Sequence, residues 1–155
     1  NTSFTEGAGR KFNKALKNIR GIRNEYAAKA RKADDISSVY QEANNDYRSN
    51  IQEIIKHIDN LRVLEVSNQD IYNTLPQTLS RNVKIAAMRG IVLDMPIAVS
   101  IKGTRLERTK QYIELIEKMP RDLANRMLKQ EVSSDKINRS QLNTIVNSVK
   151  LRSSL

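Results

Sequence analysis

Residues 10–66 read RKFNKALKNIRGIRNEYAAKARKADDISSVYQEANNDYRSNIQEIIKHIDNLRVLEV. Stepping by seven from Phe12 gives Phe12, Ile19, Tyr26, Ala33, Tyr40, Tyr47, Ile54 and Leu61, every one apolar or aromatic. Residues seven apart lie on one side of an α-helix, so this pattern predicts a helix-packing seam. The stretch holds no proline and a single internal glycine, Gly21. It is therefore expected to form one long helix over 10–66, roughly 80 Å from end to end at about 1.5 Å per residue. A second row, Ala15, Ile22, Ile36 and Ala43, shifts by one place to Ile51 and Ile58. A straight 3.6-residue helix drifts in this way against a seven-residue repeat. The one segment that invites a break is Asp34, Asp35, Ser37 and Ser38, where Ser38 with Gln41 fits a capping box. The unbroken phase from Ala33 to Tyr40 favours continuity.

Outward from this rod, residues 1–9, with Gly7 and Gly9 among small polar residues, read as a flexible lead-in. Residues 67–78 are polar, contain Pro76 and read as a connector in which Ser67 and Asp70 open a short helical turn. A second helix is expected from Gln77, with one apolar stripe through Leu79, Val83, Ala86, Gly90 and Leu93 and another through Ile85, Met88, Val92, Met95 and Val99. Asp94-Met95-Pro96 should kink or end it. Thr104 and Glu107 form a capping box for a third helix, which Pro120 is placed to divide. After Ser133-Ser134-Asp135 a fourth helix carries Ile137, Leu142, Ile145 and Val149 on one side. No β-type alternation is present. The expected fold is all-α: a single elongated domain over 1–155, a helical hairpin or bundle with one very long N-terminal helix and three shorter ones, the hairpin and C-terminal helix occupying 79–151.

Hydrophobic residues make up 39% of the 155, aromatic ones only 5%, and tryptophan and cysteine are absent. Any core is then aliphatic, without a disulfide framework or a cysteine metal site. The net charge of +10 is unevenly spread. Residues 1–35 hold nine basic and four acidic side chains, 36–100 hold six and seven, and 101–155 hold twelve and six. Basic ends favour phosphate backbones, anionic surfaces or acidic proteins as partners. The most apolar window, 83–101, is interrupted by Lys84, Arg89, Asp94 and Pro96, so no membrane span is expected. The chain opens at Asn1 with no signal-peptide pattern, as in a processed protein or the ordered part of a longer one.

Catalytic signatures are missing. The one histidine, His57, sits on the edge of the seam with no Ser, Cys or second His at helical spacing, so it reads as a structural residue and not a general base. Glu114 and Glu117 form a charged helix face and not a metal site. There is no GxxxxGK[ST] and no GxGxxG, so no nucleotide cofactor is expected. Tyr26, Tyr40 and Tyr47 share the phase of Ile19 and Ile54, which points to core packing over base stacking. On a wheel with Phe12 at zero, Arg10, Lys14, Lys17 and Lys32 fall between about 140° and 200°, away from the seam. Lys102, Arg105 and Arg108 open the third helix, where cations are unfavourable unless an anionic partner neutralises them. Those seven residues are the candidate anion-facing or DNA-facing set.

Three segments carry a family resemblance: Ala86-Ala87-Met88-Arg89-Gly90, the helix start Thr104-Arg105-Leu106-Glu107-Arg108, and Met127-Leu128-Lys129-Gln130. Over residues 78–131, preceded by a long charged helix, the chain resembles the small internal virion proteins of short-tailed phages, the core or ejection proteins that stack on the portal inside the capsid. It departs from them in its middle break, Asp94-Met95-Pro96, where that family is rich in Gly and Ser. The resemblance implies a homo-oligomeric ring in the virion interior, a positive face toward packaged DNA or acidic portal and core proteins, and passage into the host at infection. Outside that setting a cytoplasmic protein is expected. The expectation is thus a non-enzymatic assembly protein packing through its long helices. The alternative is a basic helical module that grips nucleic-acid phosphates without reading bases.

Overall fold

The computed structural model describes the backbone of residues 2–153 and the side chains of residues 9–150. Among the described residues every regular element is an α-helix: α1 (Thr2–Lys32), α2 (Ser37–Val63), α3 (Asn68–Thr74), α4 (Arg81–Met88), α5 (Arg105–Glu117), α6 (Arg121–Ser133) and α7 (Arg139–Ser153). The all-α expectation is met. The single helix over 10–66 is not: the chain leaves helical geometry after Lys32 and re-enters it at Ser37. Nor do residues 1–9 form a separate lead-in, since the α1 backbone is helical from Thr2.

The turn is built by chemistry that a seven-step count does not register. Asp35 Oδ1 accepts from the Ser37 N–H at 2.9 Å and from the Ser37 hydroxyl at 2.8 Å, capping the start of α2. These two bonds hold the Asp35 carboxyl below the usual carboxylate range. The cap is Asp35 on Ser37 in place of the expected Ser38 and Gln41. At the other side of the turn the Lys118 ammonium donates to the Arg31 carbonyl at 3.1 Å and to that of Ala30 at 3.4 Å, satisfying helix-end acceptors. The Lys118 carbonyl in turn accepts from Ile36 N–H at 2.9 Å, and Ile36 is fully buried. An exposed apolar seam on a lone rod has nothing to bury against; reversing the chain gives it a partner.

The chain gathers into two compact units, Asn1–Glu25 with Glu42–Met95, and Tyr26–Gln41 with Pro96–Leu155. In the first, α1 and α2 run antiparallel: the Phe12 and His57 rings stack at 4.2 Å, and Asn18 bonds Asn50 at 3.1 Å. Its core is Phe12, Ala15, Ile19, Tyr47, Ile51, Ile54 and Ile58, closed by Ile71 and Leu75 of the α3 region and Val83 and Ala87 of α4. Ser67 caps α3 and Ser80 caps α4. The helix expected through Asp94 stops at Met88, because Gly90 takes a left-handed conformation at φ +73°. There Ile91 N–H returns to the Ala86 carbonyl and Gly90 N–H to that of Ala87, a Schellman closure. Residues 92–95 then lie along α2. Asn44 accepts from Met95 N–H at 2.7 Å and donates to Asp94 at 3.1 Å, while Arg48 donates to the Val92 carbonyl and to Asp94, both at 3.0 Å.

In the second unit Tyr26 and Tyr40 meet edge to face at 5.7 Å, and Tyr26 donates to the Ile97 carbonyl at 2.7 Å. Ile97 and Ala98 are buried, and Ile97 N–H reaches the Gln130 side chain at 3.2 Å. Thr104 and Glu107 form the expected capping box of α5, and Pro120 stands at the start of α6, dividing the third helix as expected. Buried Tyr112, Ile113 and Ile116 of α5, Leu123, Ala124 and Met127 of α6 and Ile145 of α7 supply the apolar interior.

Candidate functional site

The seam is a core and not a docking surface. Phe12, Ile19, Tyr26, Tyr40, Tyr47 and Ile54 are buried within this one chain; Ala33, in the turn, and Leu61, near the end of α2, are half-buried. Tyr26, Tyr40 and Tyr47 are not open for base stacking, and burial raises the Tyr26 and Tyr47 hydroxyl pKa values above the usual phenol range. His57 is half-buried against Phe12, its Nδ1 enclosed without a hydrogen bond, and burial holds its pKa below the usual value.

The candidate cations separate into sets with different fates. Arg10, Lys14 and Lys17 are exposed on α1 in the first unit, together with Lys11 and Arg20. Six basic residues and no acidic one occur from residue 10 to 24. Ion pairs join Arg48 to Asp94, Lys56 to Glu53 and Arg62 to Asp59, and among the described residues none reaches those five α1 cations. Arg23 differs, reaching the Thr78 carbonyl at 3.5 Å. Lys32 is exposed as well, in the second unit.

The α5 set is weaker than its sequence suggests. Arg105 is engaged with Asn138 Oδ1 at 3.0 Å, and Lys102 is exposed with its backbone tied to Gln111. Arg108 is half-buried with Nε enclosed and unbonded, close enough to Tyr112 to lower the phenol pKa against the larger effect of burial. The α5 N-terminus also supplies its own anion. Glu107 bonds Thr104 through both side chain and backbone, and these bonds hold its carboxyl below the usual range.

A buried polar cluster in the second unit escapes sequence reading. Glu131 is only 3% exposed and accepts from the Tyr112 hydroxyl at 3.1 Å. Burial raises its pKa, with Lys136 and the Tyr112 O–H opposing. Buried Gln141 donates to Thr109 Oγ1 at 3.1 Å, and Thr109 donates to the Arg105 carbonyl at 2.8 Å. The signal was the spacing of Leu123, Met127 and Glu131, which puts a carboxylate on an apolar stripe.

Among the described residues no group of three His, Cys, Asp or Glu side chains stands together to hold a metal, and no helix is long and apolar enough to cross a membrane. Compared with known proteins, the chain matches no family model, no curated protein and no solved structure.

Proposed function

We propose that the chain is a non-enzymatic structural module that works by surface contact within a larger assembly, in its specific form an internal core component of a short-tailed phage virion. The observation that carries this reading is the bare cationic face of α1 on a helix whose apolar side is already buried on its own chain. Such a helix has no further core to build and keeps its charge for a partner. With the seam consumed internally, assembly has to use other surfaces. Val63 and Leu64, adjacent at the end of α2 and 80% and 45% exposed, are among the apolar side chains offered, with Ile91 and Leu106.

The test is the mass of the purified chain by light scattering, with microscopy for ring shape. A defined multimer that Val63→Asp with Leu64→Asp dissolves, at unchanged helix content, supports assembly. A monomer at all concentrations sinks it. The same cations favour a second reading, a basic module that grips nucleic-acid phosphates without base readout.

A further inference from the structure

We infer that the outer face of α1 in the first unit, built from Arg10, Lys14, Lys17 and Arg20, is a binding surface for the phosphate backbone of duplex nucleic acid. The inference rests on the second reading above and narrows it to one helix face and one polymer form. Its geometry follows from the wheel. Buried Phe12, Ala15 and Ile19 lie at about 0°, 300° and 340°, while the four cations spread over roughly 80° to 200°, the opposite side. They extend over about 15 Å of helix, a length along which duplex DNA presents a negative charge every ~1.7 Å of its axis.

Three observations choose this occupant. A membrane surface would need large apolar residues exposed beside the cations, whereas Phe12, Ala15 and Ile19, the apolar residues interleaved with them, are buried. A single strand would need exposed rings for stacking. Among the described side chains of the first unit, Tyr47 and Phe12 are buried, and half-buried Tyr72 has the Lys84 ammonium 5.4 Å from its ring centroid. Finally, no acidic residue lies between 10 and 24, and among the described residues none of the four cations enters an ion pair. The α5 cluster shares none of this, since Arg105 is bonded and Arg108 is partly enclosed.

The experiment measures affinity of the whole chain for a short duplex, the matching single strand and polyglutamate from 50 to 200 mM salt. Four contacts predict a slope of log affinity on log salt near −3.6, a loss of about 10²-fold over that range. Lys14→Glu with Lys17→Glu should lower affinity at 50 mM at least tenfold and flatten the slope by about two. Arg121→Glu with Lys129→Glu, an equal charge change at exposed positions elsewhere, should cost far less. Circular dichroism checks that each variant folds. Equal losses in the two double variants, preference for the single strand, or equal competition by polyglutamate per charge would overturn the inference while leaving a basic binding module standing. No binding of any nucleic acid at 50 mM would remove that reading too.

Discussion

The two units solve the same packing problem with different interiors. The first is apolar nearly throughout, with Asn44 as its buried polar side chain, bonded at both ends of its amide, and His57 half-buried at the edge. The second places Glu131, Gln141 and Thr109 among its apolar side chains and joins its segments by single polar bonds such as Tyr26 to Ile97 and Lys118 to Arg31. A regular amphipathic pattern supplies most of the first, with Asn44 and Arg48 tying residues 92–95 to α2. The second depends on particular partners meeting, and in it burial raises the Glu131 pKa.

The difference can be broken most forcefully in the first unit. Ile54→Ala, at a fully buried position, should cost about 2–5 kcal/mol by denaturant unfolding, with amide-exchange protection falling in residues 42–63. Equal loss of protection across α5 to α7 would mean that the units unfold as one. In the second unit Tyr26→Phe leaves the buried Ile97 carbonyl without its donor and should cost about 1–2 kcal/mol, near the value of one buried bond.

The pH responses should have opposite signs. Glu131 has a folded-state pKa raised by burial, so the folded chain holds that proton more tightly. Its contribution is fullest below the ordinary glutamate pKa and is lost as pH rises through the raised one. Glu131→Gln should therefore raise the melting temperature at pH 8 and remove this slope. His57 has a folded-state pKa lowered by burial, so the unfolded chain binds the proton better and the first unit loses stability as pH falls from its ordinary value through the lowered one. Replacing His57 with Phe should abolish that acid sensitivity in unfolding measured between pH 7 and 5. The smallest effect is expected at Glu65, a non-glycine residue at φ 63° closing α2 through Val66 N–H to the Leu61 carbonyl. Glu65→Gly should stabilise by up to about 1 kcal/mol in thermal melts.

Much of the architecture was legible in the residues, and the failures have identifiable causes. Ser67, Thr104 with Glu107, and Pro120 marked helix boundaries correctly because a cap or a missing N–H acts locally. The break at 33–36 escapes the periodicity because a hairpin of two amphipathic helices has the same spacing within each arm as a rod. Phase from Ala33 to Tyr40 carries no information on whether the chain continues or reverses. Gly90 lies on an apolar stripe where a small packing residue would serve, yet its left-handed conformation ends the helix at Met88, six residues before Asp94. Among the candidate cations, Arg10, Lys14, Lys17, Lys32, Lys102 and Arg105 are exposed, while Arg108 is partly enclosed beside Tyr112. Lys11 and Arg20, outside that set, are exposed on α1 as well.

By itself, then, the sequence determined the helical class, the residues that must leave water and the placement of uncompensated charge, since periodicity, capping and charge are properties of a few neighbouring residues. The tertiary structure alone decided what the apolar seam meets, which turned a strut for other chains into an internal core. It also decided that Glu131 is buried and Arg105 engaged. Those outcomes depend on contacts between residues far apart in the chain, where burial and the few hydrogen bonds of Asp35, Lys118 and Asn44 select one arrangement among those the same pattern allows.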